Sequence, residues 1–132
     1  MSYYSEHLAT YKKTVLAPDY VMQKIITGKH FIDNHSDGRI SLKEISQASL
    51  ISKFYFIRLF KRTYGKTPNQ YLVEKRIAKA KALLTDGHEV SAVCFAVGFT
   101  SITSFTSLYK KMTGSTPARF RKRSAKKAIS DK

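Results

Sequence analysis

The sequence predicts an all-α chain of about seven helices, in which two helix-turn-helix subdomains are joined by a long connecting helix. Three observations predict this class. Proline occurs only at Pro18, Pro68 and Pro117, which leaves two long intervals free of helix breakers. Within those intervals apolar residues recur at helical spacing, and no segment shows the period of two that a half-buried strand requires. Finally, the end of the first interval is repeated at the end of the second.

The elements follow in chain order. Residues 1–18 are polar and tyrosine-rich with weak periodicity and read as an N-terminal arm. Residues 19–66 form the first helix-turn-helix subdomain. Its opening helix runs from Asp19 as N-cap to about Asn34, with Val21, Ile25, Phe31 and Ile32 facing inward and His35-Ser36-Asp37-Gly38 ending it. Ser41-Leu42-Lys43-Glu44 has the pattern of a capping box, in which hydroxyl and carboxylate satisfy free N–H groups at the start of a short helix ending near Ala48. Ser52 then caps a further helix whose buried face is expected to be Phe56, Leu59, Phe60 and Thr63, and Gly65 stops it.

Residues 67–86 carry the connecting helix, from about Asn69 to Thr85, with Tyr71, Leu72, Ile77, Ala80, Leu83 and Leu84 as its stripe and Asp86-Gly87 at its end. Residues 87–123 form the second subdomain: a short helix from about Val90 to Ala96, a turn at Val97-Gly98-Phe99, a helix from Ser101 to Thr113, then Gly114 and Pro117. Residues 124–132 are a basic C-terminal tail.

The repeat is specific. Phe60-Lys61-Arg62-Thr63-Tyr64-Gly65-Lys66-Thr67-Pro68 and Tyr109-Lys110-Lys111-Met112-Thr113-Gly114-Ser115-Thr116-Pro117 coincide at an offset of 49 residues, and Phe56 and Leu59 map onto Phe105 and Leu108 at the same offset. Ile45 and Val93 differ by 48, so the second turn holds one extra residue. Two copies of a short-helix, turn, longer-helix unit are the simplest account. The first helix of such a unit crosses the DNA backbone, while the second presents its exposed face to base edges in a major groove about 12 Å wide. Two copies could enter successive major grooves roughly 34 Å apart, with the connecting helix as spacer.

Charge points to the same partner. Lys and Arg number 24 against 9 Asp and Glu, a formal charge of +15 that repels itself unless a polyanion supplies the opposite sign. A hydrophobic fraction of 42% with eight Phe and eight Tyr is enough to fill a core, which excludes a basic disordered chain. The single cysteine, Cys94, cannot form an internal disulfide and suits a reducing compartment. It reads as an inert core thiol. No apolar run is long enough to span a membrane and no signal peptide opens the chain, so a cytoplasmic, nucleoid-associated location is expected.

In Ile40-Ser-Leu-Lys-Glu-Ile45, Ser52 through Phe60-Lys61, Gly65-x-Thr67-Pro68-x-x-Tyr71-Leu72, Arg76-x-x-x-Ala80-x-x-Leu83-Leu84, Val97-Gly98-Phe99 through Phe105, Tyr109-Lys110 and Gly114-x-Thr116-Pro117-x-x-Phe120-Arg121, the chain resembles the DNA-binding domain of the AraC/XylS family of bacterial activators. The resemblance covers about residues 20–123. It implies sequence-specific binding of double-stranded DNA, base-contacting side chains at Phe54, Ile57 and Arg58, and activation through contact with RNA polymerase. The chain departs from the family's pattern in places. Leu50 stands where Gly or Asn is usual in the first turn, so a different turn geometry is expected there. Tyr109 replaces the usual Phe, Phe120 the usual Tyr, and Cys94 and Ser46 the common small Ala.

With Phe56, Leu59 and Phe60 facing inward, the opposite side of that helix presents Lys53, Phe54, Ile57, Arg58 and Lys61. Arg58 is the expected base reader, since a guanidinium can donate two parallel hydrogen bonds to guanine O6 and N7. Phe54 and Ile57 suit thymine methyl groups or, equally, packing against the neighbouring helix. The second unit exposes Thr103, Ser104, Thr106 and Ser107, of which Thr103, Ser104 and Ser107 are its base-contact candidates. None is a long cation, so this helix is expected to read weakly. Phosphate contacts are expected from Ser52, Lys53, Lys61, Arg62, Lys66, Thr100, Lys110, Lys111 and Arg121, with Arg119 and Lys122 also placed for them. Arg76 is assigned to structure in preference to binding, hydrogen-bonding carbonyls of the adjacent unit. The basic tail beyond Arg121 has two equal readings, a solubilising end or a DNA-tracking element.

The four histidines and Cys94 lack metal-ligand spacing, and no phosphate loop, nucleophile triad or paired carboxylates appear, so neither metal, cofactor nor enzymatic activity is expected. Two other function classes stay open. A non-specific architectural or RNA-binding protein would need only the charge. A protein-interaction module acting on RNA polymerase alone would not retain DNA. Only about 18 residues precede the first helix, too few for a ligand pocket. Either the chain stands alone and is controlled by its abundance, which Met1 favours, or it is the DNA-binding end of a longer one; binding to DNA as a monomer is expected.

Overall fold

The computed structural model describes residues 19–130, with side chains through Lys127, so the arm expected over residues 1–18 lies outside the described residues. The described residues form seven α-helices and no strand: α1 Asp19–His35, α2 Leu42–Ser49, α3 Lys53–Tyr64, α4 Pro68–Thr85, α5 Val90–Ala96, α6 Ile102–Thr113 and α7 Pro117–Ser130. The expected tail, from residue 124, continues α7 as helix.

Contacts divide the chain into two units. One holds residues 19–34 and Ile40–Gln70, and the other His35–Arg39 with residues 71–130. The five-part division expected from the sequence cuts the chain at other points.

In the first unit α1 buries Val21, Ile25, Gly28 and Ile32, a stripe at helical spacing. Phe31, expected inward, is only half-buried, and Gly28 takes the core position. The reason lies across the interface: a Cβ on residue 28 would overlap the Phe56 ring, which is fully buried. Ile45 of α2 and Phe56, Leu59 and Phe60 of α3 complete this core. Thr63, expected on the buried face of α3, is exposed. It lies in the last turn of α3, its hydroxyl 4.0 Å from the Met22 sulfur of α1.

Local chemistry sets the helix starts. The Ser41 hydroxyl accepts the Glu44 N–H at 3.2 Å. At the start of α4, Thr67 and Gln70 form a reciprocal capping box: the Gln70 N–H donates to Thr67 Oγ1 at 3.1 Å, and the Thr67 N–H to Gln70 Oε1 at 2.9 Å. In the second copy Thr116 keeps one half of it, accepting from the Arg119 N–H at 3.2 Å.

In the second unit Ile77, Ala80 and Leu84 of α4 pack with Val93, Cys94, Val97, Phe99, Phe105 and Tyr109. Of the stripe expected on α4, Leu72, Ile77, Ala80 and Leu84 are buried, while Tyr71 and Leu83 are half-buried. Cys94 is buried and free, and burial pushes its thiol pKa up, away from thiolate chemistry. Its neighbour Phe95 faces outward.

Candidate nucleic-acid interface

Both helix-turn-helix units turn through the same backbone device. After α2, the Leu50 N–H donates to the Gln47 carbonyl and the Ile51 N–H to the Ser46 carbonyl; after α5, Gly98 and Phe99 repeat these bonds to Phe95 and Cys94. Each pair closes a Schellman turn, which needs one left-handed residue. Gly98 supplies it at φ 107° and Leu50 at φ 61°, ψ 32°. The different geometry expected at Leu50 is therefore absent. The Schellman bonds closed at Leu50 are the same as those at the glycine, so the turn is kept at the local cost of a left-handed leucine, whose side chain is 78% exposed. The extra residue of the second turn falls after Phe99, at Thr100.

Gly98 is required for a second reason. A Cβ there would sit 2.8 Å from Arg76 Nε and 2.9 Å from the Ser36 carbonyl oxygen. Those two atoms are bonded: Arg76 Nε donates to Ser36 O at 2.6 Å and Arg76 Nη2 to Gly38 O at 2.7 Å. The guanidinium also stands 5.6 Å from the Phe99 ring centre. Burial lowers the Arg76 pKa and Asp37 partly offsets it, but the group stays charged in any usual range. Arg76 thus fastens the segment His35–Arg39 beside the second turn, as its assignment to structure required.

Helix α3 begins at Ser52, whose hydroxyl accepts the Tyr55 N–H at 3.3 Å. It ends at Gly65, whose N–H returns to Lys61 O at 2.8 Å. Burial of Phe56, Leu59 and Phe60 turns the other side outward, so that Lys53, Phe54, Arg58, Lys61 and Arg62 are exposed and Ile57 is half-buried at the margin. Phe54 is 73% exposed, a large aromatic held in water with the Lys53 ammonium 5.5 Å from its ring centre. Lys61 and Arg62 lie in the last turn, where cations also satisfy the helix dipole.

Helix α6 repeats the construction with different chemistry. The Ser101 hydroxyl accepts the Ser104 N–H at 3.2 Å, Phe105 and Tyr109 are buried, and Gly114 closes the helix. Its outward side carries Thr103, Ser104, Ser107, Lys110 and Lys111. Thr106, expected to be exposed, is half-buried. Ile102, overlooked in the sequence, stands beside Thr103 with 42% of its surface exposed. The signal was present, because Ile102 occupies the position of Lys53 in the repeat.

The remaining candidates divide by environment. Ser52 and Thr100 are exposed at the starts of α3 and α6, and the Ser52 hydroxyl, accepting in its cap, keeps its own proton to donate. Lys66 is half-buried. Arg121 is exposed but engaged, with Nε donating to Gly87 O at 3.2 Å and His88 O at 3.0 Å and Nη2 to Gly87 O at 3.0 Å. Among the described residues no group of three metal-ligating side chains converges, and no helix is long and apolar enough to cross a membrane.

Comparison with known proteins places these features in a family. Residues 45–123 match the family model described as a helix-turn-helix domain. The chain is 33% identical over 92 residues to the probable transcriptional regulator LumQ of Photobacterium leiognathi, covering 69% of this chain and 37% of that protein. Its fold matches a transcriptional regulator described by its AraC-type DNA-binding domain, from Chromobacterium violaceum, at a TM-score of 0.71, with 26% identity over 79% of this chain and 94% of the other. It also matches, at TM-score 0.71 and 24% identity, the DNA-binding domain of AdpA solved with a target DNA, over 75% of this chain and 90% of that one, a likeness of fold alone. The chain spans 37–44% of the length of the first three curated relatives it matches. A duplicated helix-turn-helix, its shared turn device and these matches together show that the chain belongs to the AraC-type helix-turn-helix family of transcription-regulator DNA-binding domains.

Proposed function

We propose that this chain is a sequence-specific regulator that binds double-stranded DNA as a monomer, inserts α3 and α6 into successive major grooves and activates transcription through contact with RNA polymerase. The observation that carries the reading is the outward strip Phe54, Ile57 and Arg58 on α3, set among Lys53, Lys61 and Arg62. A protein that grips only the backbone has no use for apolar groups between its cations. In this reading Arg58 pairs with a guanine edge, and Phe54 and Ile57 meet thymine methyl groups. Thr103, Ser104 and Ser107 make hydroxyl contacts from α6. Lys53, Lys61, Arg62, Lys66, Lys110 and Lys111 hold phosphates, with Ser52, Thr100 and Arg121 beside them. The chain acts by binding, with no catalytic step and no cofactor, in the cytoplasm at the nucleoid.

Selection of bound fragments from a random duplex pool, followed by competition with random DNA at matched salt, tests it. A regulator prefers its selected site by about 10³ or more. Arg58→Ala is expected to relax the preference at one base pair by about 1–3 kcal/mol, and Ser107→Ala by much less. Equal losses would count against the asymmetry between α3 and α6, and no preference in the wild type would return the chain to the class of non-specific polyanion binders.

A further inference from the structure

Helix α7 carries six cations and no acid from Pro117 to Ser130. Among its described side chains Pro117 is buried, Phe120 and Ser124 are half-buried, and the Phe120 ring lies 6.0 Å from that of Tyr109. Arg121 folds back onto the Gly87 and His88 carbonyls. The other five cations, Arg119, Lys122, Arg123, Lys126 and Lys127, are all exposed. At 3.6 residues per turn they fall within an arc of about 140°, whose centre lies about 110° round the helix from the side of Phe120 and Ser124. From Arg119 to Lys127 the strip runs about 12 Å along the helix.

A solubilising end needs positive charge but has no need to align it. Here the alignment brings like charges together at i, i+3 and i+4, as in Arg119 with Arg123, Lys122 with Lys126 and Arg123 with Lys127, pairs that weaken a helix in water. Beyond Ser124, residues Ala125, Lys126 and Lys127 are exposed, so burial does little there to compensate. A surface bearing regularly spaced negative charge would reverse the sign of each of these interactions. Duplex DNA presents one phosphate per strand for about every 3.4 Å of axis, so 12 Å of helix spans about three to four. A lipid surface fits less well, because membrane-lying helices expose a broad apolar face and the Phe120 ring is turned onto Tyr109.

We propose that the outer face of α7 is a phosphate-tracking strip, a third DNA-contacting element that grips duplex backbone outside the recognition helices without reading sequence. The inference rests on the DNA-binding reading and extends it from Arg119 and Lys122, already placed for phosphate, along α7 to Arg123, Lys126 and Lys127. It is tested on the full chain with Lys122, Arg123, Lys126 and Lys127 changed together to Gln. A control with Arg39, Lys43, Lys79 and Lys81 changed to Gln removes the same charge from exposed sites given no DNA role. Far-UV circular dichroism verifies that both variants fold. Affinity for the selected duplex and for random duplex is measured between 50 and 200 mM salt.

The strip variant is expected to lower the slope of log affinity against log salt by about 0.9 per lost contact, about three in total, equally on both duplexes. The preference for the selected site stays unchanged, and the control slope moves by less than about one. Equal slopes for strip variant and control overturn the proposal, as does a loss confined to single-stranded RNA or anionic vesicles. Arg58→Ala, run alongside, reports on the underlying reading: a wild type without sequence preference sinks the regulator assignment and still leaves the two slopes to be compared on random duplex.

Discussion

Tyr109 fills the centre of the second unit with its ring and leaves its hydroxyl, in a fully buried position, without a hydrogen-bond partner among the described residues. Tyr109→Phe removes that hydroxyl and keeps the ring contacts to Phe105, at 5.8 Å, and to Phe120. An unsatisfied buried hydroxyl costs about 1–3 kcal/mol. The void left by one oxygen, on the order of 10–15 Å³ at about 24 cal/mol per Å³, returns a few tenths of that. The variant is therefore expected to be more stable by about 1–2 kcal/mol, which raises the melting temperature by roughly 4–8 °C per kcal/mol for a small domain.

The pH dependence adds a second readout. Burial raises the Tyr109 pKa above its ordinary value near 10, so the folded state holds the proton more tightly than the unfolded chain. The protonated form's stability is fully present below the unfolded pKa and is lost as pH rises through the folded one. The gap between the Phe variant and the wild type should be constant from neutral pH to about 9.5 and widen above about 10. Cys94, also raised by burial, titrates alkaline too, but it is present in both chains and cancels in the difference. Chemical denaturation followed by circular dichroism across this range measures both quantities. A Phe variant less stable than wild type, or a gap that does not widen above pH 10, would refute the reasoning.

Three further substitutions probe the scaffold. Leu50→Gly relieves a left-handed leucine, worth about 1–2 kcal/mol, against about 0.5–1 for the added freedom of the unfolded chain. A net gain of about 0.5–1 kcal/mol should appear as a higher denaturation midpoint, and a loss would mean that the Leu50 side chain makes a contact of its own. Gly28→Ala forces a methyl against the Phe56 ring, and overpacking of about 1–3 kcal/mol should outweigh a helix-propensity gain of about 1; stabilisation by the full gain would show the ring yielding freely. Arg76→Ala deprives two carbonyls of charged donors and is expected to cost about 2–3 kcal/mol, with amide exchange accelerating at residues 35–39 and in the turn after α5. Arg76→Lys, which cannot span both acceptors with one fork, should recover only part of that loss.

The candidate interface was legible because it is written on helices in register. Once Phe56, Leu59 and Phe60 were assigned inward, Phe54 and Arg58 had to face out, and the structure exposes both. The same logic failed at its edges. Thr106 and Ile57 sit at the border of the buried arc, where neighbouring helices decide how far solvent reaches. Ile102 was missed because an isoleucine beside a helix start reads as core.

What the sequence by itself determined is whatever depends on residues a few positions apart: helix type and approximate ends, the caps at Ser41 and Ser52, the stops at Gly65 and Gly114, and the duplication. Hydrogen bonds across three or four residues set these features, and such bonds follow directly from side-chain identity. Only the tertiary structure decided that Gly28 belongs to the core, that Leu50 accepts a left-handed backbone, and that Arg76 ties Ser36 and Gly38 beside Gly98. It also decided that the Tyr109 hydroxyl has no partner among the described residues and that five cations of α7 are left exposed. Each of these rests on a partner tens of residues away or on which side of a helix is covered, and packing geometry alone settles both.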